Sequence, residues 1–253
     1  MGQITSLANP LFKRIRKALD KGGLTEDGLA IAEGPNLLVE ALRSGVTIDR
    51  VLIDAATSRL PEEWTGAVEE LDSRIFRELK DTGHSQGVLA LVRPPARELR
   101  LSGTPLVVFL DGIQDPGNLG TIIRSAEAFG ATGVICLKGC VHPWNPKVLR
   151  ASAGSLFRLP VRYAVDDVSE FSVLPWYGAV PGDGTTINLV DLSTACGIWI
   201  GNEGSGLAAN WRKQCLPVEI PTAQVESLNA AVAASVILYE AHRQRRANSI
   251  LSS

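Results

Sequence analysis

The first part of the chain carries short apolar blocks, Leu29 to Ala32, Val51 to Ile53 and Val88 to Val92, each bounded by polar or turn-forming residues. Blocks of this length are the pattern of strands. Pro35 to about Ser44 predicts a helix between them, because proline suits a first helical position and Gly45 suits the stop. A helical arm starts near Pro10. Beyond a polar, proline-bearing stretch the blocks change character. Leu106 to Leu110, Val134 to Leu137, Trp176 to Val180, Ile198 to Ile200 and Val218 to Ile220 are apolar with little alternation. Strands buried on both faces of a parallel sheet read this way. The helix after the first of them puts Leu119, Ile122, Ile123 and Ala126 on one stripe and stops at Gly130. The predicted class is α/β. Its boundaries are an arm and small α/β region over residues 1–93, a linker over 94–105, and a larger parallel-sheet region over 106–253.

The last helix, read as beginning at Ser227, runs through Leu228, Ala231, Val232, Ala233, Ala234, Val236, Ile237 and Leu238. It is apolar almost all round, so it must be covered on more than one side. A second copy of the chain does this, or complete burial within one subunit.

Charge alters the picture little. The chain has 253 residues, 45% of them hydrophobic, with 25 Lys plus Arg against 27 Asp plus Glu. There is no bulk pull toward nucleic acid. Local basic clusters exist at Lys13, Arg14, Arg16 and Lys17 and at Arg243, Arg245 and Arg246, where a solvated helix face competes with a phosphate contact. No segment approaches the apolar length a membrane helix needs, and no signal-peptide pattern opens the chain, so a cytoplasmic, non-membrane protein is expected. The four cysteines, Cys136, Cys140, Cys196 and Cys215, are too scattered for a disulfide framework. Cys136 and Cys140 are spaced loosely for zinc with no second ligand pair, so no metal is expected and Cys136 reads as a buried strand thiol.

In a parallel sheet, ligands bind outside the carboxyl ends of the strands. Three loops qualify. Asp111 to Arg124 passes from a strand end through Pro116-Gly117 into a helix; Asn118 as a simple cap and Arg124 as a surface residue would explain it equally. Gly201-Asn202-Glu203-Gly204-Ser205-Gly206 lacks the lysine of a phosphate loop, and its glutamate suits a cationic or hydroxyl-rich ligand better than phosphate. Pro221 to Asn229 contains Ser227, which would serve as a helix cap.

Together the three loops resemble the motif set of the SpoU (TrmH-like) RNA 2′-O-ribose methyltransferases of the SPOUT superfamily. The six-residue step from Asn118 to Arg124, the Gly-Asn-Glu-Gly loop and Ser227-Leu228-Asn229 carry the likeness over about Leu106 to Arg243. Residues Ala32 to Val92, with Ala32-Glu33-Gly34 and Gln86-Gly87-Val88, resemble more weakly that family's RNA substrate-binding domain, which is L30e-like. Two departures touch cofactor contacts: a loop from Ile220 to Ser227 one residue short, and Ala179-Val180-Pro181 where threonines are common.

The resemblance implies a deep trefoil knot in residues 106–253 and a homodimer through that domain. It implies methyl transfer from S-adenosyl-L-methionine (AdoMet) to a ribose 2′-hydroxyl of structured RNA, rRNA of the large subunit first and tRNA second. A non-catalytic RNA-binding or ribosome-assembly factor of the same fold is the alternative. Gly201, Ile220 and Leu228 would hold the cofactor, with glycine at 201 admitting close approach of the main chain. Arg124, Asn118, Glu203, Ser227 and Asn229 would form the catalytic centre. A guanidinium is almost always protonated, so Arg124 is better suited to gripping phosphate and stabilising a developing alkoxide than to acting alone as a base.

Overall fold

The computed structural model describes residues 3–56, 60–79 and 86–251, with side chains as far as 248. Within the small region expected over 1–93, residues 57–59 and 80–85 therefore lie outside the described residues. The chain packs as two compact units, Met1–Ala96 with His142–Arg158, and Arg97–Val141 with Leu159–Ser253.

Unit 1 runs α1 (Pro10–Lys21), β1 (Ala30–Glu33), α2 (Pro35–Arg43), β2 (Ile48–Asp54), β3 (Glu69–Leu71), α3 (Ser73–Leu79) and β4 (Val88–Val92). Asn9 starts α1 by accepting the N–H of Leu11 at 2.8 Å, and Gly22 ends it at a left-handed φ of 63°. The sheet order is β1-β4-β2-β3; β4 is antiparallel to both neighbours, while β3 joins β2 in parallel. Ile15, Leu29, Ile31, Leu52, Phe76 and Leu91 form its core. The segment His142–Arg158 supplies α5 (Pro146–Ala151), capped by Asn145, and packs against β1. Arg150 pairs with Glu33 and Arg158 with Glu40. By its place in the chain this segment belongs to the region 106–253, but it packs with unit 1.

Unit 2 contains β5 (Leu106–Asp111), α4 (Pro116–Ala128), β6 (Gly133–Leu137), β7 (Val161–Val165), β8 (Trp176–Ala179), β9 (Thr185–Thr186), β10 (Cys196–Gly201), α6 (Ala209–Arg212), β11 (Leu216–Glu219) and α7 (Ala230–Leu251). All its pairings are parallel, in the order β7-β6-β5-β10-β8-β11-β9. The strands β5, β6 and β10 are buried along nearly their whole length, as their unalternating sequences require. On one face Phe109 stacks on Trp199 with ring centroids 4.5 Å apart, and Trp176, Trp211 and Phe171 surround them. Burying each such ring stabilises the fold by roughly 1.5–3 kcal/mol. The alternate residues Leu110, Cys136 and Ile200 point to the opposite face, where α4 and α7 contact β6 and β10.

Helix α7 begins at Ala230, three residues later than expected from sequence. Ser227 does not cap it. Asn229 does, accepting the N–H groups of Ala231 and Val232 at 2.9 and 3.3 Å. Nor is the helix completely buried within its own subunit. Ala234, Ile237, Leu238 and Ala241 are fully covered, but Val232, Val236 and Tyr239 stand 48, 37 and 55% exposed along one row.

Candidate functional site

The three loops at the carboxyl ends of β5, β10 and β11 converge, and hydrogen bonds between residues far apart in sequence join them. The first loop is shaped by Asp115, the N-cap of α4, whose carboxylate accepts the N–H of Asn118 at 2.7 Å. Because Asp115 does the capping, the Asn118 side chain is free to do something else. Its amide donates to Glu203 Oε1 at 2.9 Å, and its oxygen accepts from Asn229 Nδ2 at 3.0 Å. One side chain on each loop thus enters a single chain of hydrogen bonds, Asn229 to Asn118 to Glu203.

Two further residues, missed in the sequence, fix the loops to each other. Asn202 donates to the carbonyl of Gly112 at 2.7 Å while its own side-chain oxygen accepts the N–H of Gly204 at 2.9 Å. Asp111 accepts the N–H of Ala208 at 2.8 Å. An asparagine inside a glycine loop and an aspartate at a strand end are visible signals, but their partners lie 90 and 97 residues away. Main-chain bonds between Asn202 and Gly206 close the second loop. The glycine at 201 is required there for a reason internal to the chain. A Cβ on it would stand 2.1 Å from the backbone carbon of Gly206 and 2.2 Å from the nitrogen of Leu207.

Beside this network lies a cleft of about 680 Å³, lined by Gly201, Ile220 and Leu228 as well as Glu203 and Ser227. That volume suits a nucleoside-sized ligand. Val180, Ala233 and Ile237 give it apolar walls, and among its described lining residues Glu203, Glu219 and Glu226 outnumber the one cation, Arg212, which is paired with Asp183 at 3.1 Å. A cationic ligand fits this lining better than a phosphate.

Arg124 joins neither the network nor the cleft lining of its own chain. It stands exposed on α4 between Thr121 and Ala128 and makes no ion pair among the described residues. Six residues along a helix turn it well away from the direction of Asn118. The two basic clusters are differently employed. Arg14 meets Asp27 at 3.1 Å, Arg16 meets Asp20 at 3.2 Å, and Lys17 meets Glu26. Arg243 pairs with Glu240 at 2.7 Å, and Arg245 donates to the carbonyls of Thr104, Leu192 and Thr194. Among the described residues no group of His, Cys, Asp and Glu could hold a metal ion. None of the described helices is long and apolar enough to cross a membrane.

The model of the SpoU rRNA methylase family matches residues 105–239, which hold all three loops. This chain belongs to that family. A second family model, RNA 2′-O ribose methyltransferase substrate binding, matches residues 31–97. The chain is 33% identical, over 94% of its length and 98% of the relative's, to the 23S rRNA (guanosine(2553)-2′-O)-methyltransferase of Bacillus subtilis. Over 62% of its length it is 42% identical to the 23S rRNA (uridine(2479)-2′-O)-methyltransferase of Streptomyces viridochromogenes, covering 60% of that protein. Among solved structures, the SpoU methyltransferase AviRb of S. viridochromogenes in complex with AdoMet superposes with a TM-score of 0.81 at 30% identity, covering 94% of this chain and 98% of that one. An AdoMet-bound rRNA methyltransferase of Sinorhizobium meliloti gives 0.79 at 28% identity, covering 96% and 97%.

Proposed function

We propose that this SpoU protein transfers a methyl group from AdoMet to a ribose 2′-hydroxyl of ribosomal RNA, with the large subunit as the substrate. The observation that carries the reading is the Asn229–Asn118–Glu203 chain of hydrogen bonds beside a cleft rich in carboxylates. AdoMet, when bound, supplies an activated methyl on a sulfonium cation, and the carboxylate-rich cleft suits that charge. Gly201, Ile220 and Leu228 hold it in the cleft they line.

The chain's own residues must then make a poor nucleophile attack in line. Asn118, held from both sides, presents its amide in one orientation and positions the ribose. Glu203 fixes Asn118, and Asn229 locks the third loop to the first. Ser227, exposed on the cleft wall, orders that third loop around the ligand. Arg124 stabilises negative charge developing on the 2′-oxygen while gripping the neighbouring phosphate, and the hydroxyl proton leaves to solvent.

Since Arg124 lies outside its own cleft, it acts at the cleft of a second copy in a homodimer. The exposed row Val232, Val236 and Tyr239 supports this assembly. Residues 1–93 select the RNA, in keeping with the family model matched there. We also infer the knotted backbone for residues 106–253 and the L30e-like fold for residues 1–93, on the strength of family membership. A cytoplasmic location agrees with these roles.

The test uses the purified protein with methyl-labelled AdoMet and rRNA isolated from cells lacking the gene. One 2′-O-methylated nucleotide, resistant to alkaline cleavage, is expected. Label confined to bases, or no AdoMet binding at millimolar concentration, would overturn the reading. In sedimentation, Val236→Glu should convert the dimer to monomer, and a protein already monomeric before the substitution would remove the role given to the second copy.

A further inference from the structure

The methylation site leaves one chemically distinctive pair unused. Cys136, fully buried in β6, is the register partner of Leu110 in β5. The chain then turns back on itself: the N–H of Cys140 bonds to the carbonyl of Leu137 at 3.3 Å, with Gly139 left-handed at φ 93° in the bend. This return brings the Cys140 thiol onto the same Leu110, whose carbonyl it meets at 3.3 Å. Both cysteines therefore meet Leu110, Cys136 across the strand ladder and Cys140 at the Leu110 carbonyl.

The two sulfurs are not equivalent. The Cys136 thiol and the backbone N–H groups of Ile113 and Gly112 hold Cys140 below the usual thiol range, although burial opposes them. Cys136 is pushed well above that range by its bond to Cys140 and by complete burial. Cys140 is therefore the sulfur that ionises first, and Cys136 stays the protonated thiol. The pair also lies under a joint of the methylation site. The N–H of Val141 bonds to the carbonyl of Ile113 at 2.8 Å, and the carbonyl of the adjacent Gly112 is the one that Asn202 grips at 2.7 Å. Gly139 packs against Gly112, a Cβ on it falling 3.7 Å from the Gly112 Cα.

We propose that Cys136 and Cys140 form an oxidisable dithiol, closed to a disulfide by peroxides and reopened by thiol reductants, and that closing it loosens the loop following β5. The Cys140 thiolate attacks one oxygen of the peroxide. The O–O bond breaks, leaving a sulfenic acid on Cys140 and releasing hydroxide. Hydroxide takes the proton of Cys136, whose sulfur attacks the sulfenic sulfur; the S–S bond forms as the S–O bond breaks. The second hydroxide takes up the proton Cys140 shed on ionising. Two thiols and one hydrogen peroxide thus become one disulfide and two waters. Once its sulfur is bound to Cys136, Cys140 no longer donates to the carbonyl of Leu110, one residue before the start of the loop at Asp111.

The experiment treats the full-length protein with a slight excess of hydrogen peroxide, then counts thiols after denaturation, maps tryptic peptides and measures deuterium uptake. Trypsin cuts at Lys138, between the two cysteines, so only a disulfide keeps their peptides together. Free thiols should fall from four to two, the peptides holding Cys136 and Cys140 should run as one, and uptake over 111–118 should rise until a reductant restores it. Cys136→Ser should instead leave a sulfenic acid on Cys140 that dimedone traps. Persistence of four thiols, a linkage through Cys196 or Cys215, or a 136–140 linkage with unchanged uptake at 111–118 would each overturn the proposal. None of these readouts needs RNA or methyl transfer, so they stand or fall apart from the methylation reading.

Discussion

On the arm of unit 1, Arg16 reaches as far as Glu78, but the other paired charges find partners close by in the sequence. Lys17 meets Glu26 and Arg14 meets Asp27, in each case within one short stretch of chain and at least partly exposed to solvent. In the loop cluster of unit 2, Asn118 reaches Glu203 across 85 residues and Asn229 reaches Asn118 across 111. Exposed neighbouring pairs contribute little, because solvent screens them and two long side chains must be ordered to make them. Bonds between distant loops do something else: they fix where three separate strand ends stand relative to one another. Arg124, exposed on α4, has neither kind of partner among the described residues, which leaves its guanidinium open to the role proposed for it.

The largest effect expected is therefore at Arg124. Arg124→Ala should lower single-turnover methylation on the order of a hundredfold, the usual cost of removing one preorganised charge-stabilising group. AdoMet affinity, measured by calorimetry, should hardly change. Lysine should rescue poorly, since a point charge does not reproduce a planar fork. Near wild-type turnover in the alanine variant would return Arg124 to the class of ordinary surface cations.

Gly201→Ala should come next. Its added methyl would stand 2.1 Å from the Gly206 backbone, which cannot swing aside as a side chain would. Overpacking of this kind costs about 1–3 kcal/mol, and the strain falls on the loop that lines the cleft. AdoMet affinity should drop by roughly one to two orders of magnitude if that cost is taken from binding. Unaltered affinity in calorimetry would show that the second loop has slack.

A smaller and sharper test is the double-mutant cycle of Asn118→Ala and Asn229→Ala on turnover. Residues joined in one network couple by about 0.5–3 kcal/mol, whereas independent ones add. Strict additivity would mean that their 3.0 Å bond does not matter to the reaction.

The part of this site legible in the sequence follows from that contrast. Strands β5, β6 and β10 announce themselves because burial on both faces leaves no polar position in the run. The edge strand β7 has no fully buried residue and no alternation, and the three-residue β3 is too short for any period to show, so neither is visible. The motif residues themselves stand out, and Asn118, Glu203, Ser227 and Asn229 do gather at one place. Which residue caps α4 was not legible, because Asp115 and Asn118 are both good caps and only the fold decides between them. The placement of α5 in unit 1 was likewise invisible, since nothing local in His142–Arg158 says which core its apolar residues will meet.

The smallest effect belongs to the arm. Asp27 accepts the hydroxyl of Thr25 at 2.7 Å and faces Arg14 at 3.1 Å. The Thr25 bond, more than the charges of Arg14 and Arg93, holds its carboxyl below the usual range. A carboxylate whose pKa is lowered by folding stabilises the fold at any pH above its unfolded value, and that contribution fades as the pH falls through its folded value. Asp27→Asn should accordingly destabilise the protein near neutrality and lose that effect in acid. The side chain is 42% exposed, so screening discounts the difference to about 0.5 kcal/mol. Urea unfolding at neutral pH and again near pH 3 would read it, with wild type and variant converging at the lower pH. Added salt should erode only the share owed to Arg14, because a hydroxyl donor carries no charge to screen. A loss above about 2 kcal/mol, persisting in acid, would place Asp27 among the groups that define the structure and erase the contrast between the arm and the loop cluster.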